Sequence, residues 1–177
     1  MKSLFYALTA LSLVACSSDA EKGDAGDYIT RNDFESMVGW LPDAGTLTKA
    51  HAHSGAYAVV VDPEHEFSLT YNAQLGKVSP HKLKGITLEA WVFLPDNKAT
   101  GVLGVQITDP DQGNKEVFGD GIKLQEAVKE YNKWVKVSKE ITLPANIAYT
   151  QNLKVFLWRS GAASPVYMDD ISIKGVE

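Results

Sequence analysis

The sequence predicts an all-β fold, a sandwich or barrel of about nine strands, over residues 28–177. Two patterns carry that prediction. β-Branched and aromatic segments recur at short, regular spacing, and clusters of Gly, Pro, Asn and Asp separate them. No stretch sets a strand pattern against a long helical one, so the alternation that builds a parallel α/β sheet is missing.

Ala56 to Asp62 and Phe67 to Ala73 read as two strands joined through the turn-like Pro63-Glu64-His65-Glu66. From Gly85 to Leu94 the pattern alternates. Ile86, Leu88, Ala90, Val92 and Leu94 share one face, and Thr87, Glu89, Trp91 and Phe93 share the other. Val102 to Thr108 sets Leu103, Val105 and Ile107 to one side, which turns Gln106 to the opposite one. The turn cluster Asp109 to Asn114 leads into Lys115 to Leu124. Glu126 to Lys133 reads as a short helix or an irregular crossing. Trp134 to Leu143 alternates again, and Asn152 to Arg159 and Pro165 to Lys174 close the set.

The first residues read as targeting signal rather than fold. Lys2 precedes an apolar run, Leu4 to Ala15, broken only by Thr9 and Ser12. Crossing a bilayer takes about 20 apolar residues, so this run suits a signal-peptide core instead. It ends at Leu13-Val14-Ala15-Cys16, which resembles the lipobox of bacterial lipoproteins. That resemblance implies cleavage before Cys16 and a lipid on its sulfur. Cys16 is the only cysteine, so no disulfide within the chain competes for it. Several acyl chains on one residue anchor firmly, at about 0.8 kcal/mol per buried methylene. Residues 16–27 then form a lipidated cysteine and a small, acidic tether that is too polar to fold. Ser17 and Ser18 after the cysteine resemble an outer-membrane destination in a Gram-negative bacterium. The acidic tether is similar to surface-export signals of Bacteroidetes lipoproteins.

Seventeen basic against 22 acidic residues give a net charge of −5, which falls one unit further once Lys2 leaves with the signal. Such a balance argues against nucleic acid, whose binding needs clustered Lys and Arg. About 150 residues suffice for one good core.

Three short signatures occur in a telling order: Asn32-Asp33-Phe34-Glu35, then Ala52-His53-Ser54-Gly55-Ala56-Tyr57-Ala58, then Val166-Tyr167-Met168-Asp169-Asp170-Ile171. Together they resemble the galactose-binding-like jelly rolls of carbohydrate-binding modules, families 4, 9 and 22 in particular. The resemblance spans residues 28–177. It implies neighbouring first and last strands and a structural calcium ion (Ca2+) at that junction. Glu35 and Asp169 would be its side-chain ligands, and the backbone of Asp33 and of the loop containing Ser54 would add oxygens. Calcium takes 6–8 hard oxygen donors and accepts such a mixture. Strict alternation would point Asp169 and Asp170 to opposite faces.

A sugar-binding face needs flat aromatic surface and a few amide or carboxylate partners. Glu89, Trp91, Gln106, Trp158 and Tyr71 are the candidates, with Trp40 in reserve, whereas Trp134 reads as core. The pair His51 and His53 could reach one metal, but no third ligand accompanies them. Asp109, Asp111 and Asn114 read as hairpin-turn residues rather than cation ligands. No nucleophile elbow or metalloprotease helix occurs. The resulting expectation is a non-catalytic, lipid-anchored module that holds poly- or oligosaccharide at the cell envelope. An envelope-protein partner in an accessory role and a small glycan-cleaving enzyme are the alternatives.

Overall fold

The computed structural model describes residues 28–41 and 45–177. The signal peptide, Cys16 and the tether lie outside the described residues. Ten strands form two antiparallel sheets, one strand more than expected because a two-residue pairing, Leu47–Thr48, adds to the set.

In chain order the strands are β1 (Tyr28–Asn32), β2 (Leu47–Thr48), β3 (Ala58–Val61), β4 (Tyr71–Gln74), β5 (Gly85–Phe93), β6 (Val102–Asp109), β7 (Lys115–Lys123), β8 (Trp134–Thr142), β9 (Asn152–Trp158) and β10 (Val166–Val176). The first sheet runs β2-β3-β10-β5-β8, and β1 pairs with the later half of β10. The second runs β4-β9-β6-β7. Among the described residues helix is limited to single turns. Leu75–Val78 is one, Leu124–Ala127 opens an otherwise irregular crossing to β8, and Pro110–Gln112 is a 3-10 turn.

The alternation read from the sequence sorts the side chains. Ile86, Leu88, Ala90 and Val92 of β5 face Leu103, Val105 and Ile107 of β6 and Leu153, Val155 and Leu157 of β9 across one core. Each large side chain buried there stabilises the fold by about 1.5–3 kcal/mol. At one open side the edge strands β7 and β8 meet, and Lys139 of β8 bridges them. Its ammonium donates to the Asp120 carboxylate at 2.6 Å and to the Gly121 carbonyl at 2.9 Å. Among the described residues no helix is long and apolar enough to cross a membrane.

The turn before β7 has the expected chemistry. The Asp109 carboxylate accepts the Asp111 N–H at 3.0 Å and the Gln112 amide at 2.8 Å. Those bonds, the one to Gln112 foremost, hold it below the usual carboxylate range.

β10 departs from alternation at one place. Along its border with β5, Asp169 pairs with Trp91 and Ser172 with Glu89, so β10 carries an extra residue there. Asp170 sits at φ +46°, the left-handed region, within the stretch where β10 carries its extra residue. The bulge turns Asp170 to the same loop that Asp169 engages, which corrects the expectation of opposite faces.

Candidate functional site

The loop between β2 and β3 folds over the outer face of the first sheet, and two carboxylates hold it there. Asp169, fully buried, accepts the N–H groups of His53 at 2.8 Å and Ser54 at 3.2 Å on one oxygen, and its other oxygen accepts the Asp170 N–H at 2.7 Å. Burial pushes its pKa up, against the pull of those three donors. Asp170 takes the other half of the loop: its carboxylate lies 2.6 Å from His53 Nδ1 and accepts the Ser54 hydroxyl at 2.8 Å. Glu35 completes the clamp by accepting the N–H groups of Ala56 at 2.8 Å and Tyr57 at 2.7 Å. Gly55, at φ +56°, is required beside it, since a Cβ there would run into the Glu35 carboxylate.

The three signatures therefore converge, but the groups facing each other are carboxylates and N–H donors. Asp33 is exposed and, among the described residues, accepts the Glu35 N–H at 3.2 Å. Among the described residues no three His, Cys, Asp or Glu side chains gather as metal ligands do. In this arrangement both oxygens of Asp169 and one oxygen of Glu35 accept N–H groups, so the clamp closes through hydrogen bonds, while Asp33 and Ser54 contribute no oxygen to a shared cluster with them.

The same loop covers much of the aromatic face that the sequence proposes for sugar. His53 stacks on Trp91 with ring centroids 3.9 Å apart and planes 15° from parallel. His51 stacks likewise on Phe93, at 4.4 Å. Trp134 is not core. It lies half-buried on this outer face, edge-on to His53 at 5.6 Å. Beside Trp91, Glu89 pairs with Lys136 at 3.1 Å. The histidine pair thus lies on one face, as rings stacked on aromatics.

The outer face of the second sheet is open. A depression of about 450 Å³ there is lined by Phe67, Thr70, Asn72, Gln106, Lys154 and Phe156. Asn72, Lys154 and Gln106 are direct cross-strand neighbours on β4, β9 and β6, so they form one row of polar side chains. Gln106 is held in place by donating its amide N–H to Glu116 at 2.6 Å. The aromatic wall is built in tiers. Phe156, nearly buried, lies over Gly104, where a Cβ would come within 2.9 Å of its ring. Phe67 meets Phe156 edge-on at 5.5 Å and stands 51% exposed. Trp158, 37% exposed, lies nearly parallel to Phe67 at 6.2 Å. Glu66 fixes Trp158 by accepting its indole N–H at 2.7 Å, and Arg159 holds Glu66 through Nε at 2.7 Å. The Arg159 and Trp158 bonds, in that order, lower the Glu66 pKa.

The five expected ligand contacts thus separate. Glu89 and Trp91 lie on one outer face, and Gln106 and Trp158 on the other. Tyr71 pairs with buried Val155 and turns inward, towards a cleft between the sheets that Phe34 and Met168 also line; burial raises its pKa. Phe67, Asn72, Lys154 and Phe156 were missed. A period-two reading back from Trp158 gives Phe156 and Lys154 directly. Phe67 was hidden because the chain is irregular from Ser68 to Thr70, where the Ser68 hydroxyl accepts the Leu157 N–H at 2.9 Å.

No protein-family model matches the chain, and no curated protein matches it in sequence. Solved structures do share its fold. The chain is similar to the CBM22-1 xylan-binding domain of Paenibacillus barcinonensis Xyn10C, at 19% identity and a TM-score of 0.55, over 86% of this chain and 97% of that one. The CBM22-2 xylan-binding domain of the same protein aligns at 15% identity and a TM-score of 0.52, over 84% and 99% of the two chains. A further xylan-binding domain from CBM 22 aligns at 13% identity and a TM-score of 0.51, over 86% and 97%. These likenesses establish the fold: the described residues form a two-sheet antiparallel β-sandwich, the fold of those neighbours.

Proposed function

We propose that this chain is a non-catalytic carbohydrate-binding lipoprotein, anchored through Cys16 in a bacterial envelope, and that it holds glycan in the depression on its second sheet. The observation that carries the reading is the pairing of an exposed aromatic wall, Phe67 and Trp158, with the polar row Asn72, Lys154 and Gln106. Pyranose rings present C–H groups that pack on aromatic faces, and hydroxyls that amide groups satisfy. The fold shared with xylan-binding domains supports it. Binding rather than cleavage is favoured because no carboxylate is among the lining residues of the depression, whereas glycosidase chemistry sets two beside the scissile bond. The lipobox-like ending at Cys16 and the acidic tether support an outer-membrane or surface location.

Electrophoresis through gels containing plant, algal and bacterial polysaccharides tests the proposal. Retardation of the wild-type chain in at least one polymer, lost in Phe67→Ala and Trp158→Ala, is expected. Retardation in none would move the reading to an accessory, protein-binding lipoprotein. For that second reading the specific support is Trp40, which stands 84% exposed two residues from exposed Val38 and is not among the lining residues of the depression.

A further inference from the structure

The depression has one charged lining residue, and its environment restricts what can lie on it. Lys154 is half-buried between Asn72 and Gln106 on neighbouring strands. Among the described residues it makes no ion pair. The carboxylates near the rim are committed elsewhere. Glu116 binds Gln106 from the far side of that residue, and Glu66 is held by Arg159 and Trp158. Water solvates the ammonium while the site is empty. A glycan packed on Phe67 would strip that water away, and a buried, unpaired charge is strongly unfavourable.

From this we infer that the preferred ligand supplies the counter-charge: an anionic glycan, with a carboxylate or sulfate ester placed on Lys154 Nζ. The inference rests on the glycan-binding reading of the same depression. Asn72, whose side-chain amide makes no hydrogen bond among the described residues, stands next to Lys154 and donates to a second oxygen of such a group. Charge-assisted bonds of this kind are the stronger polar contacts. The chain as a whole carries −5, so its long-range field repels a polyanion. Selection for charge therefore has to be local, and Lys154 is the cation in place to provide it.

The test compares polymer pairs that differ only in charge, using the full chain. Polygalacturonate is set against its methyl ester, glucuronoxylan against its carboxyl-reduced form, and a sulfated galactan against its desulfated form. The expected result is affinity at least about tenfold higher for the charged member of one pair. That preference should fall towards unity in Lys154→Gln and return in Lys154→Arg. Whether the uronate or the sulfate pair responds identifies the anion. Equal affinity for charged and neutral members, with binding still lost in Phe67→Ala, overturns the inference and leaves the binding module. Failure to bind any of the six polymers, in a chain that a neutral polysaccharide of the wider panel retards, overturns the inference alone, and failure on the whole panel overturns both.

Discussion

His53 lies against Trp91, ring on ring at 3.9 Å, while its Nδ1 stands 2.6 Å from the Asp170 carboxylate. One residue of the β2–β3 loop therefore covers the Trp91 ring on the outer face of the first sheet and contacts the bulge in β10. This relationship decides between the two outer faces as sites. A Trp91 face occupied by an imidazole is not free for a pyranose, whereas Phe67 and Trp158 remain exposed.

Trp91→Ala should accordingly cost stability and spare glycan retention. Loss of the stacked pair and of part of the buried indole amounts to about 2 kcal/mol. A lowered denaturation midpoint with unchanged gel retardation is the expected result. Retention lost in a folded Trp91→Ala chain would return the site to the first sheet.

The carboxylate clamp predicts a metal-independent fold. Asp169→Ala deprives three part-buried N–H groups of their acceptor and should cost about 3 kcal/mol, roughly 10 °C in melting temperature for a domain of this size. Melting of the wild-type chain should be the same in calcium and in chelator. A calcium-dependent rise would mean that the ion displaces the N–H donors and takes Glu35 and Asp169 as the family resemblance implies.

Gly104 should be as necessary to the depression as the aromatic wall. A valine there sets its Cβ 2.9 Å from Phe156, and the added methyls leave the ring no room. Phe156 must swing out and carry Phe67 with it. Overpacking of this kind costs about 1–3 kcal/mol. Gly104→Val should therefore weaken glycan retention even at temperatures where circular dichroism shows the chain folded.

Glu66 gives the protein an acid limb. Its folded-state pKa lies below its ordinary value of 4.5 because Arg159 and Trp158 favour the carboxylate. The folded state then holds fewer protons than the unfolded one below that pH, so stability falls as pH falls. The contribution is complete above about 4.5 and disappears as pH drops through the folded-state value. Since Glu66 is 41% exposed, the effect is screened and modest. Wild type should melt above Glu66→Gln at neutral pH, and the gap should close on acidification. A gap independent of pH would contradict this account.

The sandwich was legible because burial imposes period two on strands such as β5 and β6, whose core and outer faces match the alternation residue for residue. What escaped the pattern was set by contacts distant in sequence. The bulge that turns Asp170 to the same loop as Asp169 depends on β5 and on residues 53–54. Trp134 looks like core only until its strand is seen at the border of the first sheet, with His53 of a distant loop edge-on to it. Phe67 lies at a break in alternation near Ser68, caused by pairing to Leu157 rather than by any local signal. Alternation does carry Lys154 and Phe156, since both follow from the outward Trp158.

The most direct measurement is an amide chemical-shift map of the isotopically labelled chain during titration with a polysaccharide fragment that retards it in gels. The account predicts shifts concentrated around Phe67, Asn72, Gln106, Lys154 and Trp158 on the second sheet. Shifts centred on Glu89 and Trp91 would contradict it, and so would shifts around Trp40 alone.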